Sequence, residues 1–233
     1  MSEPLPVVLI PGLLASARMY AALVPQLWRA GPVMIADHTR DDSMSGIARR
    51  ILSAAPARFA LAGLSMGGYI AFEVLRQAPQ RIAKVALLDT SARADAPEQT
   101  AMRRAQMTRA SQGRLAEVVE QQFPRLVQRA RRADVELRQL FDLMAQEVGA
   151  AGFIRQQTAI LGRADSRATL GSIRCPTLVL VGEGDELTPP ELAAEIAAGI
   201  PGARLTTVPQ CGHMSTLEQP DEVTRALLEW LEA

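Results

Sequence analysis

The sequence predicts an α/β fold: a mostly parallel six-stranded sheet flanked by helices, with a helical cap inserted before the penultimate strand. Three observations carry that expectation. Six short apolar runs, at 6–10, 33–36, 59–62, 85–88, 177–181 and 205–208, are mostly continuous rather than alternating, as strands buried on both faces are. Amphipathic stretches at helical spacing lie between them, and strand–helix–strand order implies right-handed crossovers with helices on both sheet faces. One connection, from Leu88 to Thr177, is far longer than the roughly dozen residues a crossover needs, so most of it must be an inserted unit.

The elements follow in order. The first strand ends at Pro11-Gly12, a pair that makes a tight turn, and a helical pattern follows at 19–29. The second strand leads to a helix at 45–54, the third to one at 66–77, and the fourth to the long connection. There, Met102, Met107 and Ala110 share one helical face. Leu115, Val118, Val119 and Gln122 form a second helix beyond Gly113. A third begins with Asp134 as N-cap and places Leu137, Leu140, Phe141 and Met144 on one side; a fourth covers about 151–161 and stops at Gly162. The fifth strand precedes a helix at 190–198, and the sixth precedes one at 220–231. The resulting division is a core of 1–95 and 166–233 carrying a helical cap at 96–165.

Composition excludes several classes. A 233-residue chain that is 48% hydrophobic has the material for one well-packed domain and is not a disordered chain. Lys+Arg and Asp+Glu are equal at 25 each, so no net field draws in nucleic acid or an anionic membrane. Two cysteines, Cys175 and Cys211, make no disulfide framework and suit a reducing compartment. No apolar run approaches the length of a membrane span, and residues 1–6 lack the pattern of a secretory leader. The expected location is cytoplasmic.

Gly63-Leu64-Ser65-Met66-Gly67 follows the third strand directly and opens a helix. That is the strand–turn–helix setting in which G-x-S-x-G lifts a serine hydroxyl out at the carboxyl edge of a sheet. A serine needs a base, and the chain has two histidines. His213 follows the last strand beside Gly212 and precedes the final helix, so it is the expected base. His38, after the second strand, is expected as a structural or rim residue, with substrate contact as the lesser reading. The base needs a carboxylate. Asp185, after the fifth strand, is the expected one, with Glu183, Glu186 and Asp89 as candidates of lower standing. Oxyanion donors should be the N–H of Met66, next to the nucleophile, and that of Leu13 in the first strand–helix loop. Cys211 is read as small packing, since the elbow already supplies a nucleophile.

Gly-Leu-Ser-Met-Gly-Gly at 63–68, Val-Gly-Glu-Gly-Asp at 181–185 and Gly-His at 212–213 together resemble the α/β-hydrolase superfamily over essentially the whole chain. The resemblance is to the cap-bearing branch of small carboxylesterases, biotin-pathway methyl ester esterases and 3-oxoadipate enol-lactonases. It implies the α/β-hydrolase fold with Ser65, Asp185 and His213 as catalytic triad. Two departures stand out: Pro11-Gly12 replaces the usual His-Gly of the oxyanion loop, and the antiparallel N-terminal hairpin common in the family has no sequence to form it. Epoxide and haloalkane hydrolases are disfavoured because they carry Asp where Ser65 stands.

The expected activity is hydrolysis of a small carboxylic ester, thioester or lactone through an acyl-enzyme, with no metal and no organic cofactor. The alternatives are a lyase of retro-ene or cyanohydrin type using the same triad as a base, and a non-catalytic receptor on the same fold. No nucleic-acid or membrane partner is expected; a homo-oligomer is compatible with an altered sheet edge. The cap should roof an apolar pocket with Met107, Val118, Phe123, Leu140, Met144 and Phe153, its many arginines forming a solvated outer face. Should the arginines face inward, they would suit an acidic substrate or an acyl-carrier partner.

Overall fold

The computed structural model describes residues 4–233, so residues 1–3, part of the segment read above for a leader, lie outside it. The six strands are β1 (Val7–Ile10), β2 (Val33–Ile35), β3 (Phe59–Leu64), β4 (Ile82–Leu88), β5 (Thr177–Gly182) and β6 (Arg204–Val208), in the spatial order β2-β1-β3-β4-β5-β6. Every pairing is parallel, so the sheet is wholly rather than mostly so. The chain steps outward from β1 to β2, returns past β1 to β3, and then continues the other way. Such a reversal opens a crevice beyond the carboxyl ends of the two central strands, where α/β proteins bind ligands.

Helices α1 (Val24–Ala30), α2 (Met44–Ala54) and α3 (Met66–Gln77) connect the first strands. The inserted stretch forms α4 (Pro97–Ser111), α5 (Leu115–Leu126) and α6 (Val135–Leu161), followed by a short α7 (Arg167–Leu170). Then come α8 (Pro190–Gly199), a short α9 (Ser215–Glu218) and α10 (Pro220–Glu232). Alternate strand residues feed two cores. Leu9, Ala62, Leu64 and Leu180 pack with Leu27 of α1 and Trp230 of α10. Val8, Ile10, Leu61, Val85 and Val179 pack with Ile51 of α2, Ile70 of α3 and Ile196 of α8. Both faces of the inner strands are therefore apolar, which is why those runs read as continuous, whereas the edge strands β2 and β6, expected to be buried like the rest, stay partly or largely exposed.

The two last inserted helices expected from the sequence follow one another directly along α6, the first capped by Asp134 as expected. The break falls at Gly149, whose φ of 68° and ψ of 170° belong to a region open essentially to glycine alone. Phe123, Phe141, Met144 and Phe153 fill the space among α5, α6 and the core beneath, with the Phe123 and Phe141 rings 6.1 Å apart. At the amino edge, Lys84 donates to the Trp230 and Leu231 carbonyls at 3.0 and 2.8 Å, capping the end of α10. Among the described residues no helix is long and apolar enough to cross a membrane.

Candidate active site

β3 runs through Gly63 and Leu64, two residues beyond its expected end, and α3 begins at Met66, leaving Ser65 alone between them. Ser65 has φ 56° and ψ −115°, a conformation that costs a non-glycine residue on the order of 1–3 kcal/mol. Its surroundings impose the conformation. The Ser65 N–H donates to Leu88 O at 2.9 Å, and Thr90 Oγ1 donates to Ser65 O at 2.8 Å. A Cβ on Gly63 would lie 2.2 Å from Gly67 O, and one on Gly67 would lie 2.1 Å from Ile10 O. Glycine at both positions is what allows the turn to be this tight.

The structure brings Ser65, His213 and Asp185 together. His213 Nε2 lies 2.8 Å from Ser65 Oγ, and its Nδ1 lies 2.8 Å from Asp185 Oδ2, with all three side chains buried. Asp185 is itself held from behind: Oδ1 accepts from the Leu187 and Thr188 N–H groups at 2.8 and 2.9 Å, and Oδ2 accepts from Thr188 Oγ1 at 2.7 Å. These bonds orient the carboxylate before it meets the imidazole. Burial alone would lower the His213 pKa, but the charge and hydrogen bond of Asp185 outweigh it and raise the imidazole above its usual value. Burial likewise opposes ionisation of Asp185, and His213 with the Thr188 bonds overcomes it, holding that carboxyl below its usual range.

The other carboxylates weighed for this role are engaged elsewhere. Glu183 accepts from the Gln210 N–H, and Glu186 pairs with Arg132. Asp89 is fully buried, accepting from the Gly182 N–H at 2.9 Å and from the Ser215 hydroxyl. Burial, reinforced by the charge of Asp185, pushes the Asp89 carboxyl well above its ordinary value.

Gly12, Leu13 and Met66 line the same cavity as Ser65 and His213. Met66 is the first residue of α3, so its N–H has no intrahelical acceptor and is open to a ligand. Two side chains that the sequence reading did not join hold the Leu13 loop. His38 Nε2 lies 2.8 Å from Gly12 O, and Gln156 Oε1 accepts from the Leu14 N–H at 3.2 Å, where Leu14 has φ 57°. Gln156 Nε2 in turn lies 2.9 Å from His38 Nε2, and His38 Nδ1 has no partner. One ring nitrogen cannot donate to Gly12 O and accept from Gln156 at once, so the cluster is incompletely satisfied. Burial lowers the His38 pKa and keeps the ring neutral. His38 is thus a buried support of the loop and not a rim residue.

Gln156, Thr188 and Glu218 belong to the site but were not among the candidates. The visible signal for Gln156 is a Gln-Gln pair inside the largely apolar 151–161 stretch. Glu218 is buried and accepts from the Gly212 N–H at 3.0 Å and the Gln128 N–H at 2.7 Å, tying the His213 loop to the chain that leaves α5. Cys211 is buried, and burial pushes its thiol far above the ordinary range, so it stays protonated. Among the described residues no group of three or more His, Cys, Asp or Glu is placed to hold a metal.

The cavity has a volume of about 840 Å³, within the range of small-molecule sites. The side chains expected to roof it lie elsewhere, although apolar groups, Met102 and Leu126 among them, still make up much of its lining. Val118, Phe123, Met144 and Phe153 are packed into the core, and the residues that face the cavity include Gln106, Gln121, Arg103, Arg109, Arg125 and Arg163. The physical reason is competition for one apolar face: α5 and α6 spend theirs on joining the cap to the core. The outer arginines Arg114, Arg131, Arg132 and Arg138 are each paired with a nearby carboxylate.

The fold, the serine elbow and the ordered carboxylate–imidazole–hydroxyl chain define the class of α/β hydrolases. A model of the alpha/beta hydrolase family matches residues 7–226, and the chain belongs to that family. It is 30% identical over 175 residues to a pimeloyl-[acyl-carrier protein] methyl ester esterase of Chromobacterium violaceum, covering 73% of this chain and 68% of the relative. It superposes with a TM-score of 0.90 on a thermophilic esterase from Thermogutta terrifontis solved with malate bound, at 30% identity, over 99% of this chain and 90% of that one. An enol-lactonase from Burkholderia xenovorans shares the fold, with a TM-score of 0.89 at 22% identity over 100% and 93% of the two chains. These relatives are hydrolases.

Proposed function

We propose that this chain is a serine hydrolase of small carboxylic esters, thioesters or lactones. The observation that carries the reading is the continuous relay from Asp185 through His213 to Ser65, each link 2.8 Å, opening into the cavity. Neutral His213, protonated at Nδ1 toward Asp185, takes the Ser65 proton on Nε2 as Oγ attacks the scissile carbonyl. The oxyanion that forms is met by the Leu13 and Met66 N–H groups. His213 gives its proton to the departing alkoxide or thiolate, leaving an acyl-serine. Water then enters, His213 takes a proton from it as it attacks the acyl carbon, and the second tetrahedral species collapses when His213 returns that proton to the departing Ser65 Oγ, releasing the carboxylic acid and restoring neutral His213. The esterases among the relatives support this reaction class.

Replacing Ser65 by Ala tests it. Hydrolysis of a short p-nitrophenyl ester should be abolished with the melting temperature nearly unchanged, and labelling by a fluorophosphonate should be lost. Triad members act as a unit, so His213→Ala should be comparably inactive and the double variant little worse. Near-wild-type turnover in Ser65→Ala defeats the mechanism.

A further inference from the structure

The charges set into the cavity wall do not balance. Arg103 and Arg163 both face the cavity with side chains only 13% and 6% exposed, and they share a single carboxylate, Asp95, at 2.6 and 2.8 Å. Arg163 is nearly saturated. Its Nε and Nη2 donate to Arg93 O, its Nη1 donates to Ile160 O as well as Asp95, and its guanidinium lies 4.2 Å over the Tyr69 ring. Arg103 is not. Asp95 takes Nε and Nη2, Gln157 Oε1 takes one hydrogen of Nη1, and a guanidinium has five N–H groups, so two remain uncommitted.

The excess continues outward. Among the described residues, Arg109, farther along α4, is met only by the neutral Gln121 carboxamide, and Arg125 of α5 lines the same wall with no carboxylate partner. Glu98 is the one acidic side chain on the cavity wall among the described residues. Arg103 and Arg109 are half-buried and Arg125 is exposed; guanidinium groups with open donors and surplus charge at a cavity wall are suited to bidentate capture of a carboxylate or phosphate.

We infer that this cavity selects substrates bearing a second, anionic group, a carboxylate or a phosphate, received by Arg103 with Arg109 and Arg125 while the scissile carbonyl rests against Ser65. This deepens the hydrolase reading and rests on it. A neutral ester of the same length would leave the wall charges unmet and bind less well. Of the two anions, a carboxylate half-ester needs the fewer compensating donors.

The test uses three p-nitrophenyl ester series sharing one scissile group: half-esters of short dicarboxylic acids, their terminal carboxamides, and counterparts ending in phosphate. The wild type should prefer the charged series by about tenfold or more in kcat/KM, and the preference should shrink in high salt. Arg103→Gln leaves Asp95 and Arg163 as a one-to-one pair, so it should fold, and the charged-to-neutral ratio should fall toward one. Arg109→Gln, nearer the rim, should lower the same ratio. Arg58→Gln, exposed at the opposite edge of the sheet, should leave it intact.

Which anion wins is read directly from the carboxylate and phosphate arms. A separate binding arm follows glutarate protection of Ser65→Ala against heat, which should weaken with Arg103→Gln. Efficient hydrolysis with no charge preference and no glutarate effect overturns the inference and leaves the hydrolase reading standing. Glutarate binding that depends on Arg103, in a protein that cleaves no ester, supports the anion site and overturns the reaction instead.

Discussion

Asp185→Asn isolates the orienting carboxylate, and the structure dictates how the amide must lie. Oδ1 of Asp185 accepts from two backbone N–H groups, Leu187 and Thr188, at 2.8 and 2.9 Å. An asparagine keeps both bonds only by placing its carbonyl oxygen there, which turns its NH₂ toward His213 Nδ1. Two donors then face each other unless the imidazole proton moves to Nε2. In that tautomer Nε2 points its N–H at Ser65 Oγ, now 2.8 Å away, and cannot accept the serine proton. The expected loss in kcat is on the order of 10⁴, the size seen when the same exchange is made in serine-protease triads, or about 5 kcal/mol of barrier. Asp89 should not substitute, because its carboxyl is held above the ordinary range and bound to Gly182 and Ser215. The assay is kcat/KM on a p-nitrophenyl ester across pH, beside a melting curve to show that the fold is retained. Activity within tenfold of wild type, with Asp89→Asn inactive, would place the acid after β4 and refute the reasoning.

The pH profile follows from the same pair. His213 must be neutral to act as base and its pKa is raised, so kcat/KM should fall on the acid side with a midpoint above the ordinary imidazole value, and Asp185→Asn should move that midpoint down. An acid limb set well below the ordinary imidazole value would contradict it. Gln156→Leu should strand the buried Leu14 N–H at a cost of about 1–3 kcal/mol, lowering kcat some tenfold to hundredfold with KM little changed. Equal effects on kcat and KM would show that the loop serves binding instead. Gly67→Ala puts a methyl group 2.1 Å from Ile10 O and should destabilise by about 1–3 kcal/mol or more, read as a fall in melting temperature.

The strands and the relay were legible because each leaves a local mark. Continuous apolar runs announced the strands, the inner four of them buried on both faces, and the elbow, Asp185 and Gly212-His213 each sit just past a strand end. What stayed hidden depends on contacts across long separations. Gln156 reaches Leu14 over 142 positions, and no local pattern could tell a loop-supporting glutamine from a surface one. Which side chains roof the cavity was misjudged for a related reason. Helical periodicity shows that Val118, Phe123 and Met144 share buried faces, yet it cannot say whether a buried face meets a ligand or another helix. The sharp turn between the last two inserted helices rests on one backbone angle at Gly149 that glycine permits and sequence spacing does not record.

Ser65 and His213 stand 148 positions apart. A ribosome delivers the strained elbow long before it delivers β5, β6 and the loop that carries the imidazole, and domains assemble as the chain emerges. Until the last strand has docked, the serine has no partner able to take its proton. On the proposed mechanism, nascent or prematurely truncated chains lack the base, so they should hydrolyse no ester even where the first four strands have folded, and activity should appear only once the chain extends beyond His213.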